Sequence, residues 1–253
     1  MVDYLGHRES AKLILRRALL RVNMNVTRDP AHHRLARTLD ALGIDRVLDV
    51  GANVGQFGSL IRASGFRGRI DSFEPLPDAS ATLMRRASRD RDWGVHSMAL
   101  GATAGSITLN VSGNSYSSSI LRMTPAHLAA ASGSHVVAQV EVPIHTLAEM
   151  RVGLGIDPRR TLLKIDTQGY ESEVLAGAGP ILDDIAAVQL ELSMVLLYEG
   201  QKLFDELRKE MTARGLSLFS IEPGIADAQG RMLQCDGLFV REERLLRSGV
   251  PPT

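Results

Sequence analysis

Short apolar runs alternate along this chain with stretches of helical periodicity. Residues 46–50, 69–73, 93–98, 161–165 and 187–192 are mostly apolar and of strand length, whereas 54–64, 78–89, 171–178 and 203–214 carry helical spacing. Residues 216–221 and 237–241 close the set, joined by about fifteen residues with PG and QG turn signals that suit an antiparallel hairpin. Repeated strand-then-helix order predicts an α/β protein with a mostly parallel seven-stranded sheet and helices on both faces. An insertion of about 102–160 interrupts the alternation. Within it, 106–111 and 136–142 read as a strand pair, with a Ser-, Gly- and Asn-rich connection of the length that usually serves function.

The ends differ from the middle. Leu15, Leu19, Val22 and Val26 form one stripe of a helix, and residues 1–38 hold eight Arg or Lys against three Asp or Glu. Such a helix either packs on the main domain with its basic side solvated, or serves as an acceptor lid or a patch on an anionic membrane surface. The organisation expected is a helical extension over 1–40, a main domain over 41–245 and a disordered tail over 246–253.

Overall composition narrows the field further. Lys plus Arg and Asp plus Glu both number 29, and aromatic residues make up 4%. Neither a basic excess nor many stacking rings is available for nucleic acid, so none is expected as a partner. With Cys235 the only cysteine, a disulfide framework and a cysteine zinc site are excluded. No run approaches the ~18 apolar residues of a membrane span, and no long apolar signal opens the chain, so a cytoplasmic protein is expected, with peripheral membrane contact through residues 1–28 as the alternative.

The chemistry concentrates after the first strand, in VLDVGANVG. Gly51 permits a sharp turn, and Gly55 would let a helix start, with its amide N–H groups, approach a carboxylate or phosphate. The dinucleotide fingerprint G-x-G-x-x-G fails at Asn53; the spacing is instead G-x-x-x-G-x-x-G through Gly51, Gly55 and Gly58. Asp49, just before the turn, would favour a cationic ligand over a pyrophosphate. Glu74 ends the second strand, where an acid commonly pairs with ribose hydroxyls. Ribose, amino acid and sulfonium together describe S-adenosylmethionine. The alternative is that Asp49 and Glu74 merely cap neighbouring helices.

Five blocks, DVGANVGQF (49–57), FEP (73–75), ALG (99–101), LLKIDTQGYESEVLAGA (162–178) and VQLELS (188–193), resemble the FkbM family of S-adenosylmethionine-dependent methyltransferases in its order over roughly 46–240. The resemblance implies a Rossmann-like class I methyltransferase fold that methylates hydroxyl oxygens of small-molecule, sugar or glycolipid acceptors in bacterial secondary or cell-envelope metabolism. Asp49, Gly51, Ala52, Asn53, Gly55 and Phe57 would form the cofactor loop, Glu74 and Pro75 the ribose side, Ala99 and Leu100 the adenine flank. Asp166 would lie beside the transferred methyl. Ser97 stands where the family often has Asn, and Ala148 where it often has Asp.

Methyl transfer from a sulfonium is in-line displacement, helped by positioning and by a base for the acceptor proton. Asp166 and Glu191, at the ends of the fourth and fifth strands, are expected to face the ligand crevice as base and support. Helix capping by Asp166 and a Glu191–Lys164 salt bridge are the plain alternatives. His145 is a third catalytic candidate. A divalent metal held by Asp166, Glu191 and another oxygen would be compatible, though no dedicated ligand cluster is visible. Asn114, Tyr116, Ser117, Ser118 and Ser119 could hydrogen-bond a polyhydroxylated acceptor, and AHLAAA could lie on a lipid-like one. A nicotinamide-dependent oxidoreductase and a non-catalytic binding module on the same fold remain open as alternatives.

Overall fold

The computed structural model describes residues 31–114, 117–130 and 133–247. The expected basic helix with its apolar stripe at 15–26, Tyr116 and residues 248–253 of the expected tail lie outside them.

Helix α1 (Ala31–Ala41) precedes β1 (Arg46–Val50), α2 (Gln56–Ala63), β2 (Arg69–Phe73), α3 (Pro77–Ala87) and β3 (Trp93–His96). The insertion carries β4 (Ala99–Leu100), β5 (Gly105–Ser112), α4 (Pro125–Ala130) and β6 (Val136–His145). Then come α5 (Leu147–Leu154), β7 (Thr161–Ile165), α6 (Glu171–Ala178), α7 (Ile181–Asp184), β8 (Ala187–Ser193), α8 (Phe204–Ala213), β9 (Leu216–Pro223), β10 (Gln234–Arg241) and α9 (Glu242–Arg247).

Seven strands form one sheet in the order β3-β2-β1-β7-β8-β10-β9. The first five are parallel, and β10 runs antiparallel to both β8 and β9. Parallel strands are buried on both faces, so each reads as a nearly continuous apolar run. Leu48, Leu163, Val188 and Phe239 pack into the core on one side of the sheet. Their neighbours Val47, Leu162, Ala187 and Leu238 pack on the other side. Arg34 of α1 reaches the edge strand β9 and pairs with Glu222 at 2.7 Å.

Three boundaries differ from the expected ones. The helix after β1 starts at Gln56 rather than 54, because Asn53 (φ 49°) and Gly55 (φ 85°) are both left-handed. The third strand stops at His96. Beyond it, Ala99 and Leu100 leave the main sheet and pair with Ile144 and His145. The insertion is therefore a three-stranded sheet in the order β4-β6-β5, not a strand pair. Among the described residues no helix is long and apolar enough to cross a membrane.

One row of the main sheet breaks the apolar pattern. Ser72, Asp49, Lys164 and Gln189 stand in register across β2, β1, β7 and β8, and Glu191 lies opposite Asp236 of β10. The chain turns to β2 on one side of β1 and lies against β7 on the other. The carboxyl ends of the strands at such a reversal open a crevice.

Candidate active site

The turn after β1 is closed by its own hydrogen bonds. Gly51 and Ala52 N–H both donate to the Phe73 carbonyl, at 3.0 and 3.1 Å. Asn53 N–H donates to Glu74 Oε2 at 2.7 Å, and Val54 N–H to the Asn53 side-chain oxygen at 2.7 Å. These four turn amides are thus satisfied within the protein. The glycines also serve packing. A Cβ on Gly51 would stand 1.9 Å from the Asp166 carbonyl oxygen, since β1 and β7 end against each other. On Gly55 it would meet Leu83 and Trp93, and on Gly58 the Trp93 ring. Gly55 thus lets the start of α2 pack closely on the core.

A cavity of about 420 Å³ opens over this turn, within the range of small-molecule sites. Of the residues singled out from the sequence, Gly51, Ala52, Asn53, Phe57, Glu74, Pro75, Ala99, Leu100, Asp166 and Glu191 line it, as do Ser117 and Ser118. Asp49, Gly55, His145, Asn114 and Ser119 are outside the lining. His145 instead ends β6 and pairs with Glu149 at 2.6 Å, one helical turn on, which removes the geometric case for its catalytic role.

Glu74 is almost wholly buried, at 5% exposure. Its second oxygen accepts Leu76 N–H at 2.8 Å, at the start of α3. Anchoring a helix entry and facing the cavity therefore coexist in one side chain. Burial pushes its pKa up to about 7, against the opposing pull of the Leu76 and Asn53 amides.

Asp49 has a partner inside the protein. Lys164 Nζ lies 3.1 Å from Asp49 Oδ1 and 3.3 Å from Asp166 Oδ2. Ser72 Oγ donates to Asp49 at 3.3 Å, and the Trp93 indole N–H donates to Ser72 at 3.0 Å. Burial works against the charge on Lys164, but Asp49 and Asp166 outweigh it and hold the ammonium above its ordinary range. The Phe57 ring adds a face 5.3 Å from Nζ. Asp49 is thus a counter-ion to Lys164 beneath the cavity floor, which corrects its expected place against the ligand. Lys164 pairs with the two aspartates, so the expected alternative of a Glu191–Lys164 bridge is not what forms.

At the other end of the cavity, Gln168 Nε2 donates to Asp166 Oδ1 at 3.0 Å and to Glu191 Oε2 at 2.8 Å. Helix capping does not occupy Asp166. The turn amides of Thr167 and Gly169 donate to Glu171, at 3.0 and 3.1 Å. Burial raises Glu171 to about 7. Burial, then the carboxylates of Asp166, Glu171 and Asp236, push Glu191 well above the ordinary range, with Lys164 opposing. Asp236 is pushed up to about 6 by burial and by Asp166. Among the described residues no three His, Cys, Asp or Glu side chains converge as a metal site.

Gln168, Tyr198, Glu171 and Asp236 were not picked out from the sequence. Asp236 carried a readable signal, an acid inside the apolar run LQCDGLFV. Gln168 and Tyr198 carried none, being 30 residues apart and joined only by a hydrogen bond.

The model for the "Methyltransferase FkbM domain" matches residues 49–218, well over half the chain. The chain belongs to the FkbM methyltransferase family. Methyl transfer from S-adenosylmethionine is accordingly its reaction class, and the nicotinamide alternative is set aside. Among solved structures, this FkbM methyltransferase resembles magnesium protoporphyrin IX methyltransferase from Synechocystis PCC 6803 with bound S-adenosylmethionine, at 12% identity and TM-score 0.44, over 83% of this chain and 77% of that one. It also resembles Aeropyrum pernix fibrillarin with S-adenosyl-L-methionine, at 14% identity and TM-score 0.42, over 83% and 76%. A TehB-like methyltransferase from Corynebacterium glutamicum aligns at 12% identity and TM-score 0.39, over 93% and 98%. No curated protein matches the chain.

The cavity of the FkbM methyltransferase has the chemistry its donor requires. Phe73, Met98, Ala99 and Leu100 give an apolar wall, and Glu74 is the acid beside it. Asp166, Glu191 and Asp236 make the far end acidic, while the charge of Lys164 is already matched by Asp49. Such a lining suits an apolar base, hydroxyl groups and a positive centre. Gln189 also lines the cavity, and its buried Oε1 accepts no hydrogen bond among the described residues.

Proposed function

We propose that this methyltransferase acts on a hydroxyl oxygen of a small-molecule, sugar or glycolipid acceptor. The observation that carries the reading is the carboxylate pair Asp166 and Glu191, tied together at one end of the cavity whose other end holds Glu74. When bound, S-adenosylmethionine supplies a methyl group on a positively charged sulfur with a neutral leaving group. Glu74 would accept hydrogen bonds from the ribose hydroxyls, with Ala99 and Leu100 against the adenine and the turn from Gly51 to Asn53 along the methionine part. Asp166 orients the acceptor hydroxyl. Glu191, whose proton affinity is raised by burial and by neighbouring acids, takes up the proton. The serines at 117 and 118 bring further hydrogen-bonding groups to the same cavity, in keeping with a polyhydroxylated acceptor.

Two measurements test the reading. Calorimetry should show S-adenosylmethionine bound and NADH not bound. Mass spectrometry of candidate acceptors incubated with the enzyme should show the mass of one added CH₂, removed again by mild treatment only where a carboxyl had been methylated. Methyl transfer confined to nitrogen or carboxylate acceptors would overturn hydroxyl specificity while leaving the donor assignment intact.

A further inference from the structure

Gln168 occupies the turn between β7 and α6 with φ of 57°, a left-handed conformation uncommon for a residue with a Cβ. Such backbone persists where the surroundings over-determine it. Two other parts of the chain hold it there. Tyr198, in the loop after β8, donates its hydroxyl to Gln168 Oε1 at 2.7 Å. Ser119, from the insertion, donates its hydroxyl to the Gln168 main-chain carbonyl at 2.7 Å. Those two parts are themselves joined, through the Met123–Tyr198 bridge and the Thr124 N–H to Leu197 carbonyl bond of 2.9 Å.

Chemistry sets the direction of the amide. Burial, then Glu191, Glu171 and Asp166, keep the Tyr198 phenol protonated; of its two acceptors, Gln168 Oε1 at 2.7 Å is much nearer than the Ser117 carbonyl at 3.4 Å, so the phenol donates chiefly to Gln168. Both hydrogens of Nε2 are then left for Asp166 and Glu191. The reversed amide would set its carbonyl oxygen against two carboxylates.

We propose that Gln168 is the positioning residue of the acceptor end, its amide oriented by Tyr198 and its backbone pinned by Ser119, so that Asp166 and Glu191 act as one unit of fixed spacing. The inference rests on the assignment of that carboxylate pair to the acceptor hydroxyl. It also gives the long insertion a task, since the insertion secures the turn that carries the amide.

A hydrogen bond to a carboxylate favours its ionised form. Glu191 faces Asp166 of β7, Glu171 of α6 and Asp236 of β10, with Lys164 of β7 as opposing cation and Tyr198 nearby. Removing the amide therefore raises the proton affinity of Glu191. The test uses the full chain, carrying carboxyl-¹³C glutamate, with the Glu191 signal identified by its loss in Glu191→Gln. In Gln168→Met the Glu191 titration should move up by about one pH unit, a tenfold change in proton affinity. In Tyr198→Phe it should move the same way by less. S-adenosylmethionine affinity by calorimetry should stay within about twofold in both, because neither side chain is at the Glu74 end. An unchanged Glu191 titration in folded Gln168→Met overturns the proposal. Should that variant not fold, Tyr198→Phe and Ser119→Ala carry the test, and unchanged titration in both overturns it. If the titration moves as expected while Glu191→Gln retains full turnover, the acceptor reading fails and the positioning of the carboxylates stands.

Discussion

The two ends of the cavity are built differently. At the Glu74 end, the proposed donor end, a tight turn and one carboxylate are fixed by backbone amides: Gly51 and Ala52 on Phe73, Asn53 and Leu76 on Glu74. All of these lie within two consecutive strand-to-helix units. The Asp166–Glu191 end, the proposed acceptor end, is fixed by side chains from four separate stretches, with Asp166 and Gln168 after β7, Glu191 on β8, Tyr198 beyond it and Ser119 from the insertion. A side-chain substitution therefore disturbs the Asp166–Glu191 end directly, and the Glu74 end chiefly at Gly51 and Glu74 themselves. The difference teaches where single side-chain changes can act: throughout the side-chain network, but at few positions of the turn.

Lys164 belongs to both ends, and its removal should produce the largest effect. Lys164→Met leaves Asp49, fully buried, without its counter-ion. Breaking a buried pair from one side costs about 3–5 kcal/mol, readable as a lower denaturant midpoint. Lys164→Met combined with Asp49→Asn should recover part of that loss; equal losses in the single and double variants would show that the pair does not act as a unit.

Glu191→Gln separates the two ends. Turnover on an acceptor found by mass gain should fall about 10²-fold or more, as for loss of a general base, while S-adenosylmethionine affinity stays near that of the wild type. A matching fall in donor affinity would erase the distinction between the ends.

Glu74→Ala is the converse, with donor affinity weakened by about 1.5–3 kcal/mol, the value of a hydrogen bond to a charged group. Its pH dependence sharpens the point. Glu74 titrates near about 7 in the folded chain against an ordinary 4.5. The native state therefore holds this proton where the unfolded chain has released it. Its contribution to folding stability falls as pH rises from 4.5 to about 7 and is level on either side. Donor binding that requires the ionised carboxylate runs the other way. Affinity should drop roughly tenfold per pH unit below about 7 and flatten above it. Calorimetry across that range should lose the slope in Glu74→Gln; a slope that survives would place the titrating group elsewhere.

The smallest effect is expected at His145. It is outside the cavity lining and pairs with Glu149 at the protein surface, so His145→Ala should change stability by less than about 1 kcal/mol and leave turnover intact. A large loss of turnover would return it to the chemistry.

Much of this was legible in the residues themselves. The seven strands announced themselves because burial on both faces demands apolar runs, and the helices because one-sided burial demands a period of 3.6. Asp166 and Glu191 could be found because acids at the carboxyl ends of parallel strands have few places to go but the crevice. Glu74 could be found by the same reasoning, although its part in anchoring α3 shows only in three dimensions. The place of Asp49 was misread for a physical reason. A residue beside a ligand-binding turn looks alike in sequence whether it faces the ligand or the core, and parity along β1 sends Asp49 under the floor towards Lys164.

By itself, then, the amino-acid order determined the alternating elements, the closing hairpin, the glycine turn and the two acids Asp166 and Glu191 that line the cavity, because each depends on neighbours a few residues away. Tertiary structure alone decided that Lys164 neutralises Asp49, that β4 leaves the main sheet for the insertion, and that Gln168 meets Tyr198 and Ser119 beside the two acids. Those contacts join residues 30 to 115 positions apart only in the folded chain, and no local periodicity records them.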